Sequence, residues 1–211
     1  MFHPVGHPLE RGWVGRIEGD RVVHLAAQTL QSFFTGGGTA REHAEYPLAE
    51  VVLLAPVLHP PSIRLYEDGL SFVFANPAAV VGPGASIQEP SDTSSQGGLT
   101  VLFRVAAVIG AEGAIGGFTA LAEWRAPGLT SPKDRDFALG LGPSVVTPDD
   151  FVDPSGFEWP AAAARAAAGT ALYPGDIIGG PALESRDRVR PGESVGLEID
   201  GIGTLEQRVA S

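Results

Sequence analysis

The hydrophobic pattern is dominated by short apolar stretches separated by turn residues. The longest is residues 99–110, LTVLFRVAAVIG, with a single charge, Arg104, in its middle. Its length and β-branched content predict a strand rather than a helix. Phe118 to Trp124 predicts the next strand, and Ser71 to Ala75 (SFVFA) an earlier one. Residues 12–27 alternate around Gly19-Asp20 and predict a hairpin, and Val51 to Leu54 a small strand. Residues 39–50 carry Arg41, Glu42 and Glu45 and are expected to form a short helix. A second helix is predicted over 157–169, FEWPAAAARAAAG. Pro160 suits its first turn and Gly169 its end. Turns at Pro174-Gly175-Asp176 and Pro191-Gly192-Glu193 each introduce β-rich sequence, DIIGG and SVGLEIDGIGTLEQRV. The latter has a hairpin signal at Asp200-Gly201.

These elements imply an α+β, predominantly β fold. A small N-terminal β module is expected over 1–54 and a main domain over 55–211, divided near the stiff passage of Pro56, Pro60 and Pro61. Gly36-Gly37-Gly38 is a break, Pro83-Gly84 a turn, and QEPSDTSSQGG (88–98) a polar loop.

Composition narrows the function classes. The chain has 211 residues, 44% of them hydrophobic, with 28 Gly and 18 Pro, which favours strands and turns over a helical bundle. A formal charge of −11 argues against nucleic acid and anionic membranes as partners. With no cysteine, disulfides, thiolate nucleophiles and cysteine zinc sites are excluded. The N-terminal MFHPVGHPLERGW lacks the features of a secretory signal, and no apolar run reaches spanning length, so a soluble, cytoplasmic protein is expected. The glycine-rich GAEGAIGG and GIGTLE do not match the dinucleotide fingerprint, and neither a nucleophile elbow nor a P-loop occurs.

Several landmarks, read in order over residues 51–209, resemble the fumarylacetoacetate hydrolase family. They are LLAPVLHPPSI, FVFANPAAVVGPGASI, AAVIG, IGGFTALAEW, KDRDFALGLGPSVVTPDDF, LYPGDIIGG and VRPGESVGLEIDGIGTLEQRV. The resemblance implies a mixed β-roll, usually a homodimer. It implies cleavage, isomerisation or decarboxylation of oxo- and enol-carboxylates around a Mg²⁺-type ion held by a Glu-x-Glu pair and an Asp. Aligned on AAVIG, that pair falls on Leu102 and Arg104, and the Asp on Glu123. The next polar positions become Arg125 and Pro127. The lid that would carry a general-base His is reduced to RLYEDGLSF, without His, and the Thr-bearing loop becomes GGPALES. Lys133 and Asp136 do match, and in the resemblance they orient substrate and are followed by a Leu-Gly-Pro turn.

A guanidinium at Arg104 would repel a divalent cation and needs an anionic partner, with Glu123 as first candidate. Three readings follow. In the first, the metal site and lid His are lost and the protein is a non-metal ligand-binding, assembly or pseudoenzyme protein, with Arg104, Lys133 and Arg125 as candidate contacts to a small anionic metabolite. In the second, a metal-independent isomerase, decarboxylase or C–C hydrolase uses Arg104 and Lys133 to hold an oxo- or enol-carboxylate, while Asp136 or Glu123 moves protons. In the third, the protein is an ordinary Mg²⁺-dependent hydrolase whose ligands lie elsewhere, at Asp92, Glu112 or Glu67. Each site residue also has a plain structural reading: Arg104 and Glu123 as an ion pair, Lys133 and Asp136 as a solvated loop. The histidines His3, His7, His24, His43 and His59 are scattered, with Pro4 and Pro8 disfavouring a helical ligand pair. His59, nearest the shortened lid, is the one candidate base.

Overall fold

The computed structural model describes residues 1–9, 11–90 and 97–211. The predicted N-terminal hairpin forms from β2 (Gly15–Glu18) and β3 (Arg21–Leu25), after a short β1 (Phe2–Pro4). Gly19 takes φ 60 at the turn, a conformation that favours glycine. Residues 39–50 are not helical. They form β4 (Glu42–Pro47), paired with β3, and a 3₁₀ turn, Leu48–Glu50. The charges that suggested a helix face instead meet arginines on neighbouring strands: Arg16 donates to Glu42 at 2.6 Å and Arg21 to Glu45 at 3.0 Å. The helix lies earlier, at α1 (Leu30–Thr35), started by a reciprocal Thr29–Ser32 capping box and stopped at Gly36. β5 (Val51–Leu53) pairs with β1.

A seven-stranded mixed sheet forms the centre of the structure. Its strands are β6 (Ile63–Tyr66), β7 (Phe72–Ala75), β8 (Val80–Val81), β10 (Leu99–Ile109), β11 (Ile115–Arg125), β12 (Leu139–Val146) and β13 (Ile177–Val189). They lie in the order β7-β6-β13-β10-β11-β12-β8. β9 (Ser86–Ile87) belongs to a separate sheet with β14 (Ser194–Ile199) and β15 (Gly203–Val209), the hairpin predicted at Asp200-Gly201. Pairs β13·β6, β12·β8 and β15·β9 are parallel and the rest antiparallel, giving the predominantly β, mixed architecture expected.

Strand β10 lacks polar alternation because both of its faces are covered. Val101, Phe103, Val105 and Ala107 join Ala120, Ala122 and Trp124 of β11 in the larger core. That core is roofed by α2 (Trp159–Ala167) through Trp159, Ala162 and Ala166 and by the β14–β15 hairpin through Leu205 and Val209. Ala106 and Val108 point the other way, into a core of Ile63, Leu65, Leu121, Leu139, Leu141 and Ile177. The Pro-rich passage seals this second core with Ala55 and Val57, and α1 packs against it through Leu30 and Phe34. Arg104 and Glu123 lie on this second face.

Two further segments depart from the sequence reading. The Leu-Gly-Pro of KDRDFALGLGPSVV is not a turn but the middle of β12, where Gly142 at φ 132 lets the strand kink. GGPALES is not a loop but the first part of β13. Its pairing with β10 slips there: Arg104 faces Ala182 while Ala106 faces Gly179, so one extra residue bulges out around Gly180-Pro181.

The sheet leaves little room at Gly117, where a Cβ would sit 2.5 Å from the Val146 carbonyl oxygen and 2.5 Å from Val145 Cγ1. Because one of these neighbours is backbone, Gly117→Ala is expected to lower unfolding stability by about 1–3 kcal/mol in urea titration.

Candidate functional site

The candidate site is built where β10, β11, β13 and β6 meet. Leu102 of β10 faces Glu123 of β11, and Arg104 faces Leu121 one pleat further on, so Leu102, Arg104 and Glu123 share a face. Arg104 is 2% exposed, a full charge taken almost wholly out of water. Its Nε and Nη2 donate to one oxygen of Glu123, Oε2, at 3.1 and 2.7 Å. Its Nη1 donates to two backbone carbonyls, Tyr66 O and Gly180 O, each at 2.8 Å. Both carbonyls are available for a local reason: Tyr66 ends β6, and Gly180 sits at the bulge of β13. One guanidinium therefore ties four strands together and is satisfied by a carboxylate and two carbonyls.

Glu123 is fully buried, and its other oxygen, Oε1, accepts from Arg125 Nε at 2.8 Å. Arg135 Nη1 lies 3.8 Å from the same oxygen. Outward, Arg125 Nη2 and Arg135 Nη1 both donate to Glu67 Oε1 at 2.9 Å. The result is a ladder of alternating charge, Arg104–Glu123–Arg125–Glu67–Arg135, running from the core to the surface. Burial alone would push the Glu67 carboxyl up. Hydrogen bonds from Arg135 and Arg125 outweigh it and hold the group below the usual glutamate range. Burial also opposes the charge on Arg125, yet its bonds to Glu123 and Glu67 keep its pKa raised.

Lys133 and Asp136 stand at the rim, not within the ladder. Lys133 Nζ bonds Asp136 Oδ2 at 2.9 Å, and the lysine side chain is 75% exposed. Arg125, on the strand itself, is a member of the ladder as well as a rim group. Of the alternative ligands, Glu67 does reach the site, but with two arginines between it and Glu123. Glu112 sits at φ 54 in the turn joining β10 to β11, several residues beyond Arg104 along the strand. Asp92 lies outside the described residues. The His59 side chain is exposed, and no hydrogen bond links it to the ladder. The segment expected to be a reduced lid is a hairpin: β6 pairs with β7, and residues 67–71 turn between them.

The sequence reading missed Arg135 altogether. It is the third residue of the KDRD motif, between the two positions that matched, and a charged residue amid matched pocket positions was the available signal. Glu67 was legible only as a stray acid, because its approach to β11 depends on how tightly the 67–71 turn closes.

The residues present do not fit the divalent ion that the resemblance implies. Both oxygens of Glu123 are committed to guanidinium groups, and the facing side chain, Leu102, offers no donor. Among the described residues, no group of three or more acidic or histidine side chains is placed to hold a metal. Hard dications need several oxygen ligands, and a guanidinium beside the one available carboxylate repels them.

No family model matches the sequence, and no curated protein matches it. Solved structures do. Maleylpyruvate hydrolase from Sphingobium sp. SYK-6 is 22% identical, with 95% of this chain and 97% of that chain covered and a TM-score of 0.78. A 2-keto-3-deoxy-D-arabinonate dehydratase complexed with magnesium and 2,5-dioxopentanoate is 15% identical, with 99% and 97% covered and a TM-score of 0.79. The 5-carboxymethyl-2-hydroxymuconate delta-isomerase from Mycobacterium smegmatis is 21% identical, with 94% of each chain covered and a TM-score of 0.69. These likenesses define the class: the chain has the fold of the fumarylacetoacetate hydrolase family, over nearly its whole length. The structural neighbours are a hydrolase, a dehydratase and an isomerase, at least one of them with a bound divalent ion.

The ladder predicts an asymmetry. Glu123→Leu strands the buried Arg104 and should cost about 3–5 kcal/mol in urea unfolding. Replacing both partners, Arg104→Met with Glu123→Leu, should recover much of that loss, and the double-mutant cycle gives the coupling directly.

Proposed function

We propose that this protein is a metal-independent member of its fold, a ligand-binding or assembly protein in which a structural arginine takes the place of the catalytic ion. The single observation that carries this is the bonding of Arg104. Its guanidinium donates to a carboxylate and two backbone carbonyls, and it consumes the carboxylate that an ion would need. The natural ligand class, by analogy with the neighbours, is a small oxo- or enol-carboxylate. The analogy rests on the fold and on the cationic rim of Arg125, Arg135 and Lys133.

A second reading keeps catalysis, as metal-independent isomerisation, decarboxylation or C–C cleavage. The Lys133–Asp136 pair at 2.9 Å favours it, since that pair sits at the rim and can exchange a proton with a bound molecule. It ranks lower because Arg104, needed there to hold the substrate, is 2% exposed and bonded to protein groups. It requires Arg104→Leu to abolish binding of small oxo-acids in a chain that still folds. The first reading requires that variant to lose stability instead.

Calorimetric titration of the purified chain with Mn²⁺ and Mg²⁺ decides between metal-free and metal-dependent function. The expected result is no stoichiometric binding of either ion. A one-to-one site with micromolar or tighter affinity would overturn the proposal.

A further inference from the structure

The outer end of the ladder has a geometry that a structural ion pair does not require. Arg125 and Arg135 come from different segments, the end of β11 and the loop before β12, yet they converge on one oxygen, Glu67 Oε1, each at 2.9 Å. Convergence of two guanidinium groups on a carboxylate oxygen is how proteins take hold of ligand carboxylates. Arg125 does not depend on Glu67 for its position. Arg125 is fixed from below by buried Glu123 through its Nε at 2.8 Å, and Arg135 lies 3.8 Å from that same carboxylate. Arg135 Nε is buried and makes no hydrogen bond among the described residues, with Asp134 Oδ2 at 3.6 Å. On another side of Arg125 the surface has an open depression of about 270 Å³, bordered by Thr100, Leu129 and Asp134; Arg135 and Glu67 do not line it.

Glu67, in contrast, is the most exposed member of the set at 39%, and it hangs from the 67–71 turn rather than from a strand. We propose that the Arg125–Arg135 fork is a binding site for a small free carboxylate, and that Glu67 is its tethered competitor. A ligand carboxylate takes the place of Glu67 Oε1 without changing the charge balance, and the hairpin turn carries Glu67 out into solvent. Tethering gives Glu67 a high effective concentration at the fork, so free carboxylates bind the unaltered protein weakly. The inference rests on the metal-free reading above, since a bound dication would supply the carboxylate's partner instead.

Malonate is a suitable probe, titrated by calorimetry in EDTA into the unaltered protein, Glu67→Ala, Glu67→Gln and the double variant Glu67→Ala/Arg125→Gln. Thermal melting verifies that each chain is folded, and the near-isosteric Glu67→Gln stands in if Glu67→Ala does not fold. The expected result is malonate affinity at least tenfold higher in Glu67→Ala than in the unaltered protein, with the gain lost in the double variant. Equal affinity in Glu67→Ala and the unaltered protein, with or without Mn²⁺, would overturn the inference alone. So would a gain that survives Arg125→Gln. A gain that appears only when Mn²⁺ replaces EDTA would overturn both the inference and the metal-free reading.

Discussion

A buried guanidinium needs partners, and the arrangement around Arg104 is organised to provide them. An unpaired charge at that depth would cost several kcal/mol. The structure meets the demand with one carboxylate and two backbone carbonyls drawn from three neighbouring strands. The bulge at Gly180-Pro181 belongs to that solution. Where β13 slips against β10, a carbonyl leaves the ladder and turns toward Nη1. The end of β6 supplies the second carbonyl as its chain departs from β13. The charge is thus a fastener for the sheet at the point where its pairing is least regular.

The same pairing determines what chemistry the site can support. In a fold whose neighbours include magnesium- and manganese-bound enzymes, the carboxylate on β11 is shared between Arg104 and Arg125. A fixed cation differs from an ion: it cannot exchange ligands and offers no open coordination position. Further out, Arg125 and Arg135 meet at Glu67, and Lys133 pairs with Asp136. The hairpin turn at 67–71 brings Glu67 to this edge, where it accepts from both Arg125 and Arg135.

Much of the architecture was legible before any coordinates. Strands buried on both faces announce themselves as unbroken apolar segments, and turn residues mark their ends. Hence Leu99–Ile109, the 12–27 hairpin, the alanine-rich helix and the closing hairpin were each found near their true bounds. Misreadings fell where local chemistry is ambiguous. Residues 39–50 are polar enough for a helix, but their acids pair with arginines on other strands. Leu-Gly-Pro reads as a turn, yet a glycine at φ 132 allows the strand to continue through it.

For the site, the sequence by itself determined the conflict: a cation and an apolar side chain at positions where the resemblance places acids, with Glu123 as the one remaining carboxylate. Charge and residue type are properties of the chain, so that conflict needed no structure. Only the tertiary structure decided how it is resolved. Which oxygen meets which nitrogen, whether a carbonyl is free, and how close Glu67 comes to Arg125 and Arg135 depend on strand register, a bulge and the tightness of one turn. These arise from contacts between residues far apart in sequence, and no local pattern encodes them.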